Sequence, residues 1–128
     1  MPEGLRILVV DDSDEMRRAV AAVVVATGHE VVGEAADGLA AIELDPDLVV
    51  MDCMMPRRDG LSATAAIRDR RPAIEIIGHS IATDADIASA FLRAGACAFV
   101  RKGDTAGLLA ELRRRNRSSR EASAAQTQ

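Results

Sequence analysis

Arg6-Ile7-Leu8-Val9-Val10-Asp11-Asp12 is a short, unbroken apolar run that stops on two carboxylates. A run of this length, without polar alternation, reads as a strand buried on both faces, the kind found in parallel sheets. The same design returns in Leu48-Val49-Val50-Met51, closed by Asp52, and in Ile74 to Gly78, running into His79-Ser80. It returns again in Ala98-Phe99-Val100, ending at Arg101-Lys102, while Glu30 to Ala35 reads as the second strand in chain order. Helical patterns fill the intervals. Met16, Val20, Val23 and Val24 recur at helical spacing between a cap at Ser13 or Asp14 and a stop at Gly28. Leu61, Ala65 and Ile67 precede Pro72, and Ile87, Phe91 and Leu92 lie between Asp84 and Gly95. Leu108, Leu109 and Leu112 follow a cap at Asp104 or Thr105. Leu39 to Leu44 has room for little more than one helical turn before Asp45-Pro46, because a residue preceding proline disfavours the helical region.

Strand and helix alternating five times predict one α/β domain over residues 5–115, a doubly wound, five-stranded parallel sheet with helices on both faces. Residues 116–128, rich in Arg, Ser, Ala and Gln with no apolar period, read as a disordered polar tail or linker. Hydrophobic residues make up 48 % of the 128 residues and aromatics only 2 %, so the core must be aliphatic. A net charge of −4 argues against a nucleic-acid-binding surface. Met1-Pro2-Glu3-Gly4 does not read as a signal peptide, and no apolar run approaches the ~18 residues of a spanning helix. Cys53 and Cys97 lack metal-ligand spacing and are expected as reduced thiols. The expectation is a cytoplasmic protein without membrane attachment. His29 is expected on the surface at a helix end.

Ligands of such sheets bind outside the carboxyl ends of the strands. Asp11, Asp12, Asp52, Ser80 and Lys102 all fall there. Of the sixteen Lys and Arg residues Lys102 alone is lysine, which suggests a site wanting a compact ammonium rather than a planar guanidinium. Carboxylates brought this close need a cation, and oxygen-only ligands suit Mg²⁺. A carboxylate beside Mg²⁺ and an ammonium is set up as a nucleophile toward phosphorus. Asp52, alone at the end of a central strand, is the expected nucleophile, with Asp11 and Asp12 as the metal pair. Ser80 is placed to donate to a phosphoryl oxygen.

Val10-Asp11-Asp12-Ser13, then Asp52-Cys53-Met54-Met55-Pro56-Arg57-Arg58-Asp59-Gly60, then Ser80 and Lys102, together resemble the receiver domain of bacterial two-component response regulators. The resemblance implies the flavodoxin-like strand order 2-1-3-4-5, for which the receiver CheY is a reference example. It implies that Asp52 accepts phosphate from a sensor histidine kinase or phosphotransfer protein. It implies Mg²⁺ held by Asp12, Asp52 and the Met54 backbone carbonyl, with Asp11 acting largely through water. Ser80 and Phe99 match the paired switch positions, which move together on phosphorylation. Gly95-Ala96 with Phe99, Arg101-Lys102 and Gly103 is most similar to receivers attached to LuxR-type DNA-binding domains. Such an output domain would lie outside these 128 residues. A homodimer through the face of the fourth helix, fifth strand and fifth helix is also implied. The protein is then a signalling switch that catalyses its own phosphorylation and dephosphorylation rather than a turnover enzyme.

Three departures from the family pattern stand out. The stretch from Gly38 to Asp52 is about four residues short, close to one helical turn of 3.6 residues, so the second helix should be stunted and the second strand less covered. Gly103 follows Lys102 where many receivers have a cis-proline. Ile81 replaces the usual small residue after the switch hydroxyl, where its bulk narrows access to Asp52. A Ser80–His79 hydrolase pair is disfavoured, because adjacent strand residues point to opposite faces. A dehalogenase-like phosphatase normally has Asp-X-Asp, and Met54 takes the second position here. The remaining alternative is a receiver fold that binds partners without phosphorylation. A missing acid, Asp52 or Lys102 would mark it, and all are present.

Overall fold

The computed structural model describes residues 4–53, 59–81 and 85–116. The strands are β1 (Arg6–Val10), β2 (Glu30–Ala35), β3 (Leu48–Asp52), β4 (Glu75–Ser80) and β5 (Ala98–Arg101). The helices are α1 (Asp14–Ala26), α2 (Ala40–Leu44), α3 (Gly60–Arg70), α4 (Ala85–Ala94) and α5 (Thr105–Arg113). All five strands form one sheet in the order β2-β1-β3-β4-β5, each neighbouring pair parallel. This is the doubly wound order expected, with every strand's carboxyl end on the same edge.

Side chains alternate across the sheet and divide the core in two. Leu8, Val10, Val49, Met51 and Ile76 pack with Ala63, Ile67 and Phe91, on the side of α2, α3 and α4. Ile7, Val9, Leu48, Val50, Ile77 and Val100 pack with Val20, Val24, Leu108 and Leu112, on the side of α1 and α5. Strand β3 is buried at every residue, which is why it reads as a continuous apolar run.

Caps fall where the sequence places them. Ser13 accepts the Met16 N–H ahead of α1, and Asp104 accepts the Gly107 N–H ahead of α5. Asp84, which bounds the α4 pattern in the sequence, lies outside the described residues. Helix α2 is five residues long and ends on Asp45, whose φ of 48° is left-handed. The Arg6 guanidinium donates to the Leu44 and Asp45 carbonyls at 3.5 and 3.0 Å, pairing groups that the short helix leaves open. Edge strand β2, behind this stunted helix, has no fully buried residue.

His29 corrects the sequence reading. It is 7 % exposed, not a surface residue. Its Nδ1 accepts the Leu5 N–H at 2.8 Å, and Nε2 lies 2.7 Å from the Leu112 carbonyl. Nδ1 can accept only if the proton sits on Nε2, so the ring is the neutral tautomer that donates to Leu112. The imidazole thereby ties the chain just before β1 to the end of α5.

Candidate functional site

The site lies at the carboxyl edge, where three strand ends deliver charge. Asp11 leaves β1, Asp52 is the last residue of β3, and Lys102 directly follows β5. Asp11 and Asp52 are 2 % and 3 % exposed, whereas Asp12 is exposed. The Lys102 Nζ stands 2.8 Å from Asp11 Oδ2 and 3.0 Å from Asp52 Oδ1, bridging the two buried carboxylates. Burial by itself would lower the Lys102 pKa, but the two carboxylates beside the ammonium, Asp11 and Asp52, together outweigh it, and the pKa is raised. The ammonium is therefore held protonated.

Local structure holds the acids in place. The Ser13 N–H donates to Asp11 Oδ1 at 2.9 Å. Arg17, on α1, donates to the Asp11 carbonyl at 2.5 Å and pairs with the carboxylates of Asp14 and Glu34. These contacts pin the β1–α1 loop to the end of β2. Behind Asp52, the Gly60 N–H donates to the Cys53 carbonyl at 2.8 Å. A Cβ at Gly60 would fall on the Asp52 carbonyl oxygen, so only glycine lets α3 start this close to the strand end. Burial, then the charges of Asp59 and Asp52, raises the Cys53 pKa and keeps it a thiol. Both cysteines are free.

Lys102 is fixed by its backbone N–H, which donates to the Ser80 carbonyl at 2.8 Å. Gly103 then turns the chain at a φ of 93°, a conformation that the ring of proline forbids. Ser80 is buried at the end of β4. Its neighbour Ile81 is 70 % exposed. Phe99 pairs in register with Gly78, and its ring lies 5.7 Å from that of Phe91, within the α2–α4 core. His79 faces the other way, toward α1 and α5, which removes any pairing with the Ser80 hydroxyl.

The structure thus brings Asp11, Asp12, Asp52 and Lys102 together, with Ser80 on the adjacent strand end. Met54 lies outside the described residues. One carboxylate oxygen from each of Asp11, Asp12 and Asp52 lies within 4.8 Å of the others. Asp11 Oδ2 is buried and, although beside the ammonium, has no aligned hydrogen bond. Hard oxygen donors with such an orphaned acceptor fit Mg²⁺, which binds few carboxylates and keeps other positions for water or phosphate. Sequence reasoning missed Arg17 and the role of Gly60. Arg17 is one arginine among many on helix surfaces, and the demand on Gly60 arises only when α3 docks on β3.

Among the described residues no helix is long and apolar enough to cross a membrane. Residues 7–113 match the family model of the response regulator receiver domain. The chain is 43 % identical over 106 residues to protein-glutamate methylesterase/protein-glutamine glutaminase 4 of Myxococcus xanthus, an alignment covering 78 % of this chain and 30 % of that protein. The chain thus spans about a third of that relative's length. It is 36 % identical over 103 residues to the chemotaxis protein CheY of Thermotoga maritima, covering 77 % of this chain and 86 % of CheY. Among solved structures it superposes on a two-component response regulator of the LuxR family from Aurantimonas with a TM-score of 0.78, at 33 % identity and 88 % coverage of both chains. With the strand order, the acid cluster and the strand-end lysine, these matches place the chain in the response regulator receiver family, the signalling switches of two-component systems.

Proposed function

We propose that Asp52 is the phosphoacceptor of this receiver and takes its phosphoryl group from a sensor histidine kinase or phosphotransfer protein. The observation that carries this reading is Lys102 Nζ held between the buried Asp11 and Asp52 carboxylates at the carboxyl edge. A carboxylate oxygen of Asp52 attacks phosphorus as the phosphorus–nitrogen bond of the donor phosphohistidine breaks, and an acyl phosphate forms. Lys102 moves with the charge and offers its ammonium to a phosphoryl oxygen. Asp11, Asp12 and Asp52, with the Met54 backbone carbonyl, would hold Mg²⁺. When bound there, Mg²⁺ supplies positive charge that neutralises the transferring phosphoryl group.

Ser80 and Phe99 are the switch pair: the hydroxyl turns toward the phosphoryl oxygen and the ring follows into the vacated space. The change is a population shift, read out on the α4–β5–α5 face, where partner binding or a homodimer would respond. The receiver unit occupies residues 5–115, with 116–128 as a polar tail or linker toward an output domain, DNA-binding by analogy with LuxR-type regulators. The setting is the cytoplasm, where sensor kinases hold their phosphohistidine.

Beryllofluoride with Mg²⁺ mimics the phosphoryl group and tests the switch without a kinase. Amide NMR should show shifts extending from about Ser80 to Leu109. Shifts confined to the surroundings of Asp52 would make this a receiver that binds phosphate without switching. No shifts at all would favour the phosphorylation-independent interaction module.

A further inference from the structure

The two acids that the β1–α1 loop brings to the site are held in different ways. Asp11 is buried, its carboxylate fixed by the Ser13 N–H and the Lys102 ammonium. Asp12 is exposed, and among the described residues no hydrogen bond or ion pair holds its carboxylate. One of its oxygens nevertheless stands within 4.8 Å of carboxylate oxygens of Asp11 and Asp52. With nothing gripping the side chain, the backbone has to aim it. A peptide unit is planar, so the direction of the Asp11 carbonyl also fixes the direction in which the chain enters the Cα of Asp12.

That carbonyl is in the grip of Arg17. The residue stands one helical turn past the cap Ser13, whose carbonyl accepts its backbone N–H. Helical side chains lean back toward the N-terminus, which brings this one over the loop. Nη1 donates to the Asp11 carbonyl at 2.5 Å. Nη2 pairs with Asp14, and Nε faces Glu34 of β2 at 3.6 Å. A planar guanidinium with all three nitrogens engaged has little freedom left, and neither has the carbonyl it holds. Its charge does not serve a cation site, because a bound metal ion would be repelled by it. Asp14 and Glu34 answer that charge, which leaves the guanidinium a geometric role.

We propose that Arg17 is a positioning residue of the cation site: by holding the Asp11–Asp12 peptide it presents the Asp12 carboxylate to Mg²⁺ without touching the ion. Groups that orient metal ligands from behind govern affinity in this way. The inference rests on the reading of the acid cluster as a Mg²⁺ site and names a residue on which the affinity of that site depends.

Mg²⁺ titration of the full chain, followed by amide NMR at Asp12, Ser13 and Asp52, measures that affinity without any phosphoryl transfer. Positioning and charge predict opposite signs. Arg17→Met keeps the stem and removes the fork, so charge alone would make it bind Mg²⁺ more tightly. Positioning predicts binding weaker by roughly tenfold or more. Before metal is added, the Asp11 carbonyl carbon resonance should shift in Arg17→Met, reporting the lost hydrogen bond. Arg18→Met removes the same charge from the exposed neighbour and should leave that carbon unmoved and Mg²⁺ affinity within about twofold of native, or tighter. Arg17→Lys keeps the charge but offers one ammonium to three partners, so it should bind about threefold more weakly or worse, and it carries the test if Arg17→Met does not fold. Native-like or tighter binding in Arg17→Met or Arg17→Lys would overturn the proposal and leave the cation site standing. So would an equal loss in Arg18→Met, or an Asp11 carbonyl carbon that does not move in Arg17→Met. A native chain without saturable Mg²⁺ shifts would remove the cation site itself, and the proposal with it.

Discussion

Two polar clusters are buried at opposite edges of the same sheet, and they are built differently. At the amino edge, His29 accepts from Leu5 and donates to the Leu112 carbonyl, both within 2.8 Å. Every polar atom of that bracket is neutral and paired. At the carboxyl edge, two buried carboxylates share one ammonium, a third carboxylate stands beside them, and a buried oxygen of Asp11 lacks an aligned hydrogen bond. The first arrangement is what a fold needs to bring strand and helix ends together. The second is a poor way to stabilise a fold, because desolvating charges offsets most of their attraction. Charge left concentrated and incompletely paired is what the proposed phosphoryl site would use.

The contrast breaks first at Lys102. Lys102→Met, in the absence of divalent cation, leaves Asp11 and Asp52 buried without their counter-ion and should destabilise the chain by about 3–5 kcal/mol in urea unfolding at pH 7. Added Mg²⁺ should restore part of the loss, and a variant insensitive to Mg²⁺ would contradict the cation-site reading. In the native chain the raised Lys102 pKa means that its contribution is fully present at neutral pH. It is lost only as pH rises past the unfolded-state value of about 10.4 and through the folded one. Lys102→Arg keeps the charge and should keep most of the stability while responding weakly to beryllofluoride, since a planar fork cannot replace a point charge between two carboxylates.

His79 lies between the two clusters in character, a titratable group that burial holds neutral. Its folded pKa of about 4 lies below the ordinary 6.5, so the unfolded chain takes up the proton first. Stability should therefore fall as pH drops from 6.5 toward 4 and level off below, a loss of about 3 kcal/mol from this one group. His79→Leu should remove that part of the slope, and identical pH profiles for the two proteins would refute it. The bracket gives the smallest effect. His29→Ala strands the Leu5 N–H and the Leu112 carbonyl and should cost about 2 kcal/mol, with phosphorylation of the folded protein unchanged.

The carboxyl-edge site was legible in the sequence because each of its groups follows an apolar run, and a parallel sheet brings all such ends to one edge. The short α2 was legible too, from the crowding of Asp37-Gly38 and Asp45-Pro46 around six residues. His29 was not legible. Its partners are 24 and 83 positions away in the chain, and the local pattern, a histidine after Gly28, is that of any exposed helix end. Alternation told which way His79 points, but the cleft beside it, between α1 and α5, depends on the spacing of two helices, which no local pattern encodes. The demand on Gly60 was not legible either, because the neighbour that forbids a side chain there, the Asp52 carbonyl, comes from another element.

The central claim is that Asp52 is the nucleophile of a cation-dependent phosphoryl site. Intact-mass measurement after incubation with acetyl phosphate and Mg²⁺ tests it most directly. The account predicts one added phosphoryl group in the native chain, none in excess chelator and none in Asp52→Asn, whose amide is not a nucleophile. A phosphoryl mass that persists in Asp52→Asn, or that forms equally well without Mg²⁺, would contradict it.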